Sequence, residues 1–218
     1  MQGQRSFRWL LAALAVVGLA ADQGTKYGMF RWLYPGTEPP AADGGFHAGP
    51  ARGEYDLVPG WFRFTAEFDP SARPSDGGVG ALQTWSAPVL PRVNHGALFG
   101  IGGEHKWLAN GVFAAVSVFA AVAIVGWAGR RTTAADPWLC LALGLILGGT
   151  VGNLYDRIVF GGVRDFLYFY RIEWPVFNVA DCCLVVGACL LMVQAVLVPA
   201  KPADQPTPAP APQPAPTP

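Results

Sequence analysis

The chain has 218 residues, 52% of them hydrophobic, with 15 basic and 15 acidic side chains and no formal net charge. A mean hydropathy of +0.30 argues against an ordinary soluble domain, and the absence of a basic excess or stripe argues against a nucleic-acid partner. The apolar residues are gathered into runs close to the roughly 20 residues that cross a bilayer as helix, so the chain reads as an integral membrane protein.

In chain order, the first run, Trp9–Ala21, is short and follows Arg5 and Arg8. Locally it fits either a cleaved secretory signal or the start of a retained helix. Hydrophobic character resumes after Asp22-Gln23-Gly24-Thr25-Lys26, and a retained helix over Trp9–Met29 would span about 30 Å. The segment Tyr34–Lys106 is rich in glycine and proline and reads mainly as loop. Within it, Trp61–Phe68 predicts a strand, and Asn94–Ile101 is small, apolar and glycine-containing. Leu108–Trp127 and Pro137–Tyr155 carry no charge, and Trp174–Val198 carries only Asp181; each predicts a spanning helix. Leu167–Trp174 predicts a strand or an interfacial segment. From Pro199 the chain is proline-rich and predicts a disordered tail. The expected fold class is an α-helical integral membrane protein with four transmembrane helices and a small extracytoplasmic β-containing subdomain. Residues 1–198 form one membrane domain with an outer insertion at about 34–106, and residues 199–218 form the tail.

Basic residues set the orientation. Arg5 and Arg8 precede the first span, Arg130 and Arg131 follow the second, and Lys201 follows the fourth. With four spans all lie on one side, which predicts cytoplasmic termini in the inner membrane. Arg157, Arg164 and Arg171 fall on the other side and ask for a local explanation. The cysteines, Cys140, Cys182, Cys183 and Cys189, lie inside apolar runs without metal spacing, which predicts buried packing residues.

Polar residues converge on the outer face: Asp22 and Lys26 end the first span, Asn94 precedes the second, Asn153, Asp156, Arg157 and Asp165 follow the third, and Asn178 and Asp181 open the fourth. Each has a structural reading. Asn178-x-x-Asp181 resembles a capping box, Asp22 and Lys26 sit four apart as an intrahelical pair, and Asp156-Arg157 could form an ion pair at a helix end. Jointly they point to function, because ionisable groups near a bilayer are costly. Serine–lysine chemistry lacks a serine near Lys26, and His47, His95 and His105 form no zinc motif. A carboxylate pair remains, in which one acid keeps a proton while the other takes one from water.

Five stretches resemble, in order, the motifs of the signal peptidase II family. They are Asp22-Gln23-Gly24-Thr25-Lys26, Asn94-His95-Gly96-Ala97-Leu98-Phe99, Gly149-Thr150-Val151-Gly152-Asn153-Leu154-Tyr155-Asp156-Arg157, Val163-Arg164-Asp165-Phe166 and Phe177-Asn178-Val179-Ala180-Asp181. The resemblance covers roughly Arg5–Val198 outside much of the outer segment. It implies an aspartic endopeptidase without metal or cofactor, with Asp165 and Asp181 as the catalytic dyad. The implied substrate is a diacylglyceryl-modified prolipoprotein, cleaved just before the lipid-modified cysteine near the outer leaflet. Asn94, Asn153, Arg157 and Asn178 would bind substrate backbone. Asp22, Lys26, Gly96, Gly149, Asp156 and Ala180 would support the site, with Asp156 holding Arg157 or a neighbour. Membrane lipid is the implied surrounding partner, and the enzyme would act as a monomer.

Three features depart from the family pattern. The outer segment is longer, around Gly36–Gly53 and Asp69–Val93; Leu98 stands where alanine is usual; and Arg164 stands where an apolar residue is usual. A cation facing Asp165 would favour its charged form, whereas one pointing away would not. Two other classes compete with the peptidase. A transporter or channel subunit would run a path through Asp22, Asp156 and Asp181, but the polar groups gather at one face. An assembly protein would instead use the outer loop to bind a partner.

Overall fold

The computed structural model describes residues 5–36, 51–96 and 106–197. Ala97–Ile101 and the proline-rich tail therefore lie outside the described residues. Helix α1 (Arg8–Trp32) is followed by strands β1 (Ala51–Val58) and β2 (Phe62–Asp69), a short α2 (Val79–Thr84) and β3 (Leu90–Pro91). Then come α3 (Lys106–Ala128), the single turn α4 (Arg131–Ala134), α5 (Pro137–Val159), β4 (Leu167–Tyr168), a 3-10 turn at Tyr170–Ile172 and α6 (Val179–Leu197).

Helices α3, α5 and α6 are long and apolar enough to cross a membrane. Helix α1 is 25 residues long, and its Asp22 and Lys26 are turned inward and fully buried. Helix α5 is central and packs against α1, α3 and α6. Its start is set by Asp136, which accepts hydrogen bonds from the backbone N–H of Trp138 (2.9 Å) and Leu139 (3.1 Å), with Pro137 at the first helical position. Small residues let the helices approach: a Cβ on Gly148 would stand 2.9 Å from the carbonyl oxygen of Ala15, and one on Gly187 2.9 Å from that of Ala142. In an apolar solvent such close packing replaces the hydrophobic drive that holds soluble helices together.

Strand β2 carries β1 along one edge and β3 and β4 along the other, all antiparallel. Phe30, Leu33, Ala66, Phe68, Val89 and Phe166 lie in one buried cluster, so the sheet is docked on the C-terminal end of α1 and on the loop before β4. Phe30 and Phe68 meet edge to face at 5.7 Å.

The predicted strand at Trp61–Phe68 is β2 within one residue, and Leu167–Trp174 divides into β4 and the 3-10 turn. Strand β1 was not anticipated. Its Arg52, Glu54 and Asp56 read as loop, yet Arg52 pairs with Glu54 and Glu67, and Arg63 of β2 pairs with Glu54 and Asp56. The cysteine expectation needs correction: Cys140 is buried, Cys183 is half-buried, and Cys182 and Cys189 are exposed. The cause is position, since α6 leaves its outer face uncovered.

Candidate active site

Four elements meet where α5 ends and α6 begins. Asn178 and Asp181 form a reciprocal cap at the start of α6: the Asp181 N–H donates to Asn178 Oδ1 (3.0 Å), and the Asn178 N–H donates to Asp181 Oδ2 (3.2 Å). The same Asn178 donates from Nδ2 to Asp165 Oδ1 (2.6 Å) and to Asn153 Oδ1 (3.2 Å). Asn153 in turn donates to Asp181 Oδ1 (2.8 Å). Asn94 donates to Asp165 Oδ2 (3.0 Å). The two carboxylates therefore face one cluster of three side-chain amides.

Asn94 is itself oriented. Its backbone bridges Val163 in both directions at 2.8 Å, and its Oδ1 accepts the Gly96 N–H at 2.8 Å. Gly96 has φ +84, and a Cβ there would lie 2.2 Å from the Phe113 ring, so only glycine fits.

Burial pushes the Asp165 carboxyl up to about 6, with the Asp181 charge adding to the rise and the amides of Asn94 and Asn178 opposing it.

Beneath the carboxylates lies a buried chain of four charges. Lys26 pairs with Asp22 (2.8 Å) and Asp156 (3.4 Å), Arg164 pairs with Asp156 (2.8 Å), and all four side chains have 0% exposure. Lys26 also donates to Asn153 Oδ1 (3.1 Å). Arg164 thus points away from Asp165, which settles the alternative its position raised. The expected Asp156–Arg157 ion pair does not form among the described residues, because Asp156 is already held by Arg164 and Lys26. Arg157 turns toward α3 instead: Nη1 lies 3.4 Å from Asn110 Oδ1, and the guanidinium lies 4.8 Å from the Phe113 ring centre.

The remaining support residues have packing reasons. A Cβ on Gly149 would meet the Ala180 carbonyl oxygen at 2.4 Å, so this glycine sets the α5–α6 approach. Ala180 is buried, and its N–H donates to Asp22 Oδ1 (2.9 Å). Sequence reading assigned no role to Gln23, which donates to Asp22 (2.9 Å) and to the Gly152 carbonyl (3.0 Å), or to Ser86. Gln23 stands within the first of the five motifs, whereas Ser86 carries no signal in the sequence.

A family model described as signal peptidase (SPase) II matches residues 88–197. A lipoprotein signal peptidase of Rhodopirellula baltica is 34% identical over 201 residues, covering 85% of this chain and 71% of that protein. The chain belongs to the signal peptidase II family. A relative from Cupriavidus taiwanensis is 43% identical over 106 residues, of which this chain spans 57% of the length, and one from Symbiobacterium thermophilum is 44% identical over 110 residues, 69% of its length. A solved bacterial membrane enzyme shares the fold with a TM-score of 0.60 at 18% identity, covering 95% of this chain and 99% of that one. The resemblance read from five short motifs is borne out, and with it the membrane character and the role in lipoprotein processing.

Proposed function

We propose that the protein is an intramembrane aspartic endopeptidase that removes the signal peptide from diacylglyceryl-modified prolipoproteins, cleaving before the lipid-modified cysteine. In this reading α1, α3, α5 and α6 are four spans of the inner membrane, both termini are cytoplasmic, the sheet is extracytoplasmic, and the monomer acts near the outer leaflet. The supporting observation is that Asp165 and Asp181 are held by one connected cluster of amides, with Asn94 and Asn178 donating to Asp165, Asn153 donating to Asp181, and Asn178 also donating to Asn153.

The pair works with a single shared proton. The ionised carboxylate takes a proton from water as the water oxygen attacks the scissile carbonyl carbon. The protonated partner gives its proton to the carbonyl oxygen, producing a tetrahedral gem-diol. Transfer of a proton to the amide nitrogen then breaks the C–N bond and releases the signal peptide, and the pair regains its single proton. Asn94, Asn153 and Asn178 orient the carboxylates in the free enzyme, and with Arg157 they offer polar contacts for substrate backbone.

The test is cleavage of a purified diacylglyceryl-modified prolipoprotein by wild type, Asp165→Asn and Asp181→Asn, with products identified by mass. Wild type is expected to cut before the modified cysteine, and both variants to lose at least about 10²-fold in kcat. Full activity in either variant defeats the dyad.

A further inference from the structure

The buried charge chain touches the backbone immediately before each aspartate. Asp156 Oδ2 accepts the N–H of Arg164 at 2.8 Å, one residue before Asp165. Asp22 Oδ1 accepts the N–H of Ala180 at 2.9 Å, one residue before Asp181. Lys26 bridges Asp22 and Asp156. Both aspartates are thus tethered to one neutral chain of two cations and two anions, and Arg164 is its terminal cation.

Arg164 is also the most fully engaged side chain in this region. Nη2 donates to Asp156 Oδ1 (2.8 Å) and Gln23 Oε1 (2.9 Å), Nε to Asp156 Oδ2 (3.2 Å), and Nη1 to Ser86 Oγ (2.6 Å). Its guanidinium packs against the rings of Phe160 (3.9 Å) and Tyr27 (4.2 Å). Ser86 has 0% exposure and follows α2, inside the long outer segment that departs from the family pattern. Beside it, Gln83 donates to the Val159 carbonyl oxygen at the end of α5 (2.6 Å). The outer segment therefore grips both ends of the 160–164 turn that presents Asp165.

We propose that Arg164 is a positioning residue, which together with Ser86 uses the outer segment as a brace to hold the Asp165 loop at the height of Asp181. A planar guanidinium with five donors in a fixed fork satisfies both oxygens of Asp156 together with Gln23 and Ser86, whereas an apolar residue satisfies none of these four acceptors and an ammonium has only three donors for them. With Arg164 removed, Asp156 keeps Lys26 as its cationic partner, Ser86 loses its donor, and the turn loses its side-chain links to Gln23 and Ser86, leaving the Asn94–Val163 backbone bridge and the Gln83–Val159 bond to hold it to the outer segment.

This proposal rests on the peptidase reading for its kinetic test. The full chain in lipid nanodiscs is compared as wild type, Arg164→Met, Arg164→Lys and Ser86→Ala, with kcat and KM measured on a diacylglyceryl-modified prolipoprotein. Hydrogen exchange is followed in parallel over residues 160–167 and 179–182. Arg164→Met is expected to lose about 10- to 100-fold in kcat with KM within about 3-fold, as misplacement of a reacting group predicts. Lys is expected to restore part of the loss, and Ser86→Ala to lose a few-fold in kcat alone. Exchange should quicken over 160–167 in each variant, in proportion to its kcat loss. If Arg164→Met does not fold, Arg164→Lys and Ser86→Ala carry the test. Unchanged kcat and unchanged exchange in both overturn the proposal, as does a loss confined to KM. If wild type fails to cleave, the peptidase reading falls, and the exchange data alone decide whether Arg164 and Ser86 brace the loop.

Discussion

Asn178 donates a 2.6 Å hydrogen bond to Asp165 while its Oδ1 caps the helix that carries Asp181. One amide thus serves two acids, with its carbonyl end committed to the α6 N-terminus and its NH2 end to Asp165. The structural and functional readings of this residue are not alternatives, because an amide has separate donor and acceptor ends.

Separating those ends gives the first prediction. Asn178→Ser keeps a capping oxygen, but its side chain is too short to reach Asp165, whereas Asn178→Ala loses both functions. Both variants are expected to lose on the order of 10²-fold in kcat, as expected for disturbed acid–base chemistry. Only Ala should also lose about 1 kcal/mol of stability. Kinetics paired with thermal unfolding of each variant checks this, and equal stability loss in the two would contradict it.

Asp165 makes the fold pH-dependent. Its carboxyl is raised from 3.8 to about 6 by burial, so between these values the folded chain holds a proton that the unfolded chain has released. Stability contributed by this group is therefore present at acid pH and lost as pH rises through about 6, by at most about 3 kcal/mol. Asp165→Asn removes the penalty while keeping an oxygen to accept from Asn178. Unfolding at pH 4 and pH 8 should show the variant similar to wild type at the lower pH and more stable at the higher. A variant less stable than wild type at both values counts against the assignment.

The glycines of α5 and α1 should respond oppositely. At Gly149 a Cβ would meet the Ala180 carbonyl oxygen at 2.4 Å and Leu184 at 3.0 Å, whereas at Gly28 nothing among the described residues lies within 4 Å. Gly149→Ala is expected to cost about 1–3 kcal/mol by overpacking and to lower activity through displacement of α6. Gly28→Ala is expected to be neutral or to stabilise by up to about 1 kcal/mol through helix propensity. Thermal unfolding of the two variants side by side distinguishes them.

Lys26→Met would leave Asp22 and Asp156, both with 0% exposure, short of the cation that joins them. Breaking a buried ion pair in this way is expected to cost about 3–5 kcal/mol. Asp156 stays paired with Arg164, so the double variant Asp22→Asn/Lys26→Met removes the one uncompensated charge and should recover part of that loss. Unfolding midpoints in one lipid composition provide the comparison, and a double variant no better than Lys26→Met would argue against charge imbalance as the cause.

The membrane class, three long apolar helices to within a few residues, and the cap at Asn178 and Asp181 are legible in the amino-acid sequence alone. These features follow from short-range rules. Uninterrupted apolar runs reflect the cost of charge in hydrocarbon, and a capping box joins residues only three apart. The Asp22–Lys26 pair, four apart on one helix, was legible for the same reason. Which of several competing partners each side chain takes is set by long-range packing. Asp156 could pair with its neighbour Arg157, but packing brings Arg164 and Lys26 to it instead. Asn94 reaches Asp165 across 71 residues, and Arg164 reaches Ser86 across 78. Such choices depend on how the sheet, α1 and the ends of α5 and α6 close on one another, and no local periodicity encodes that closure.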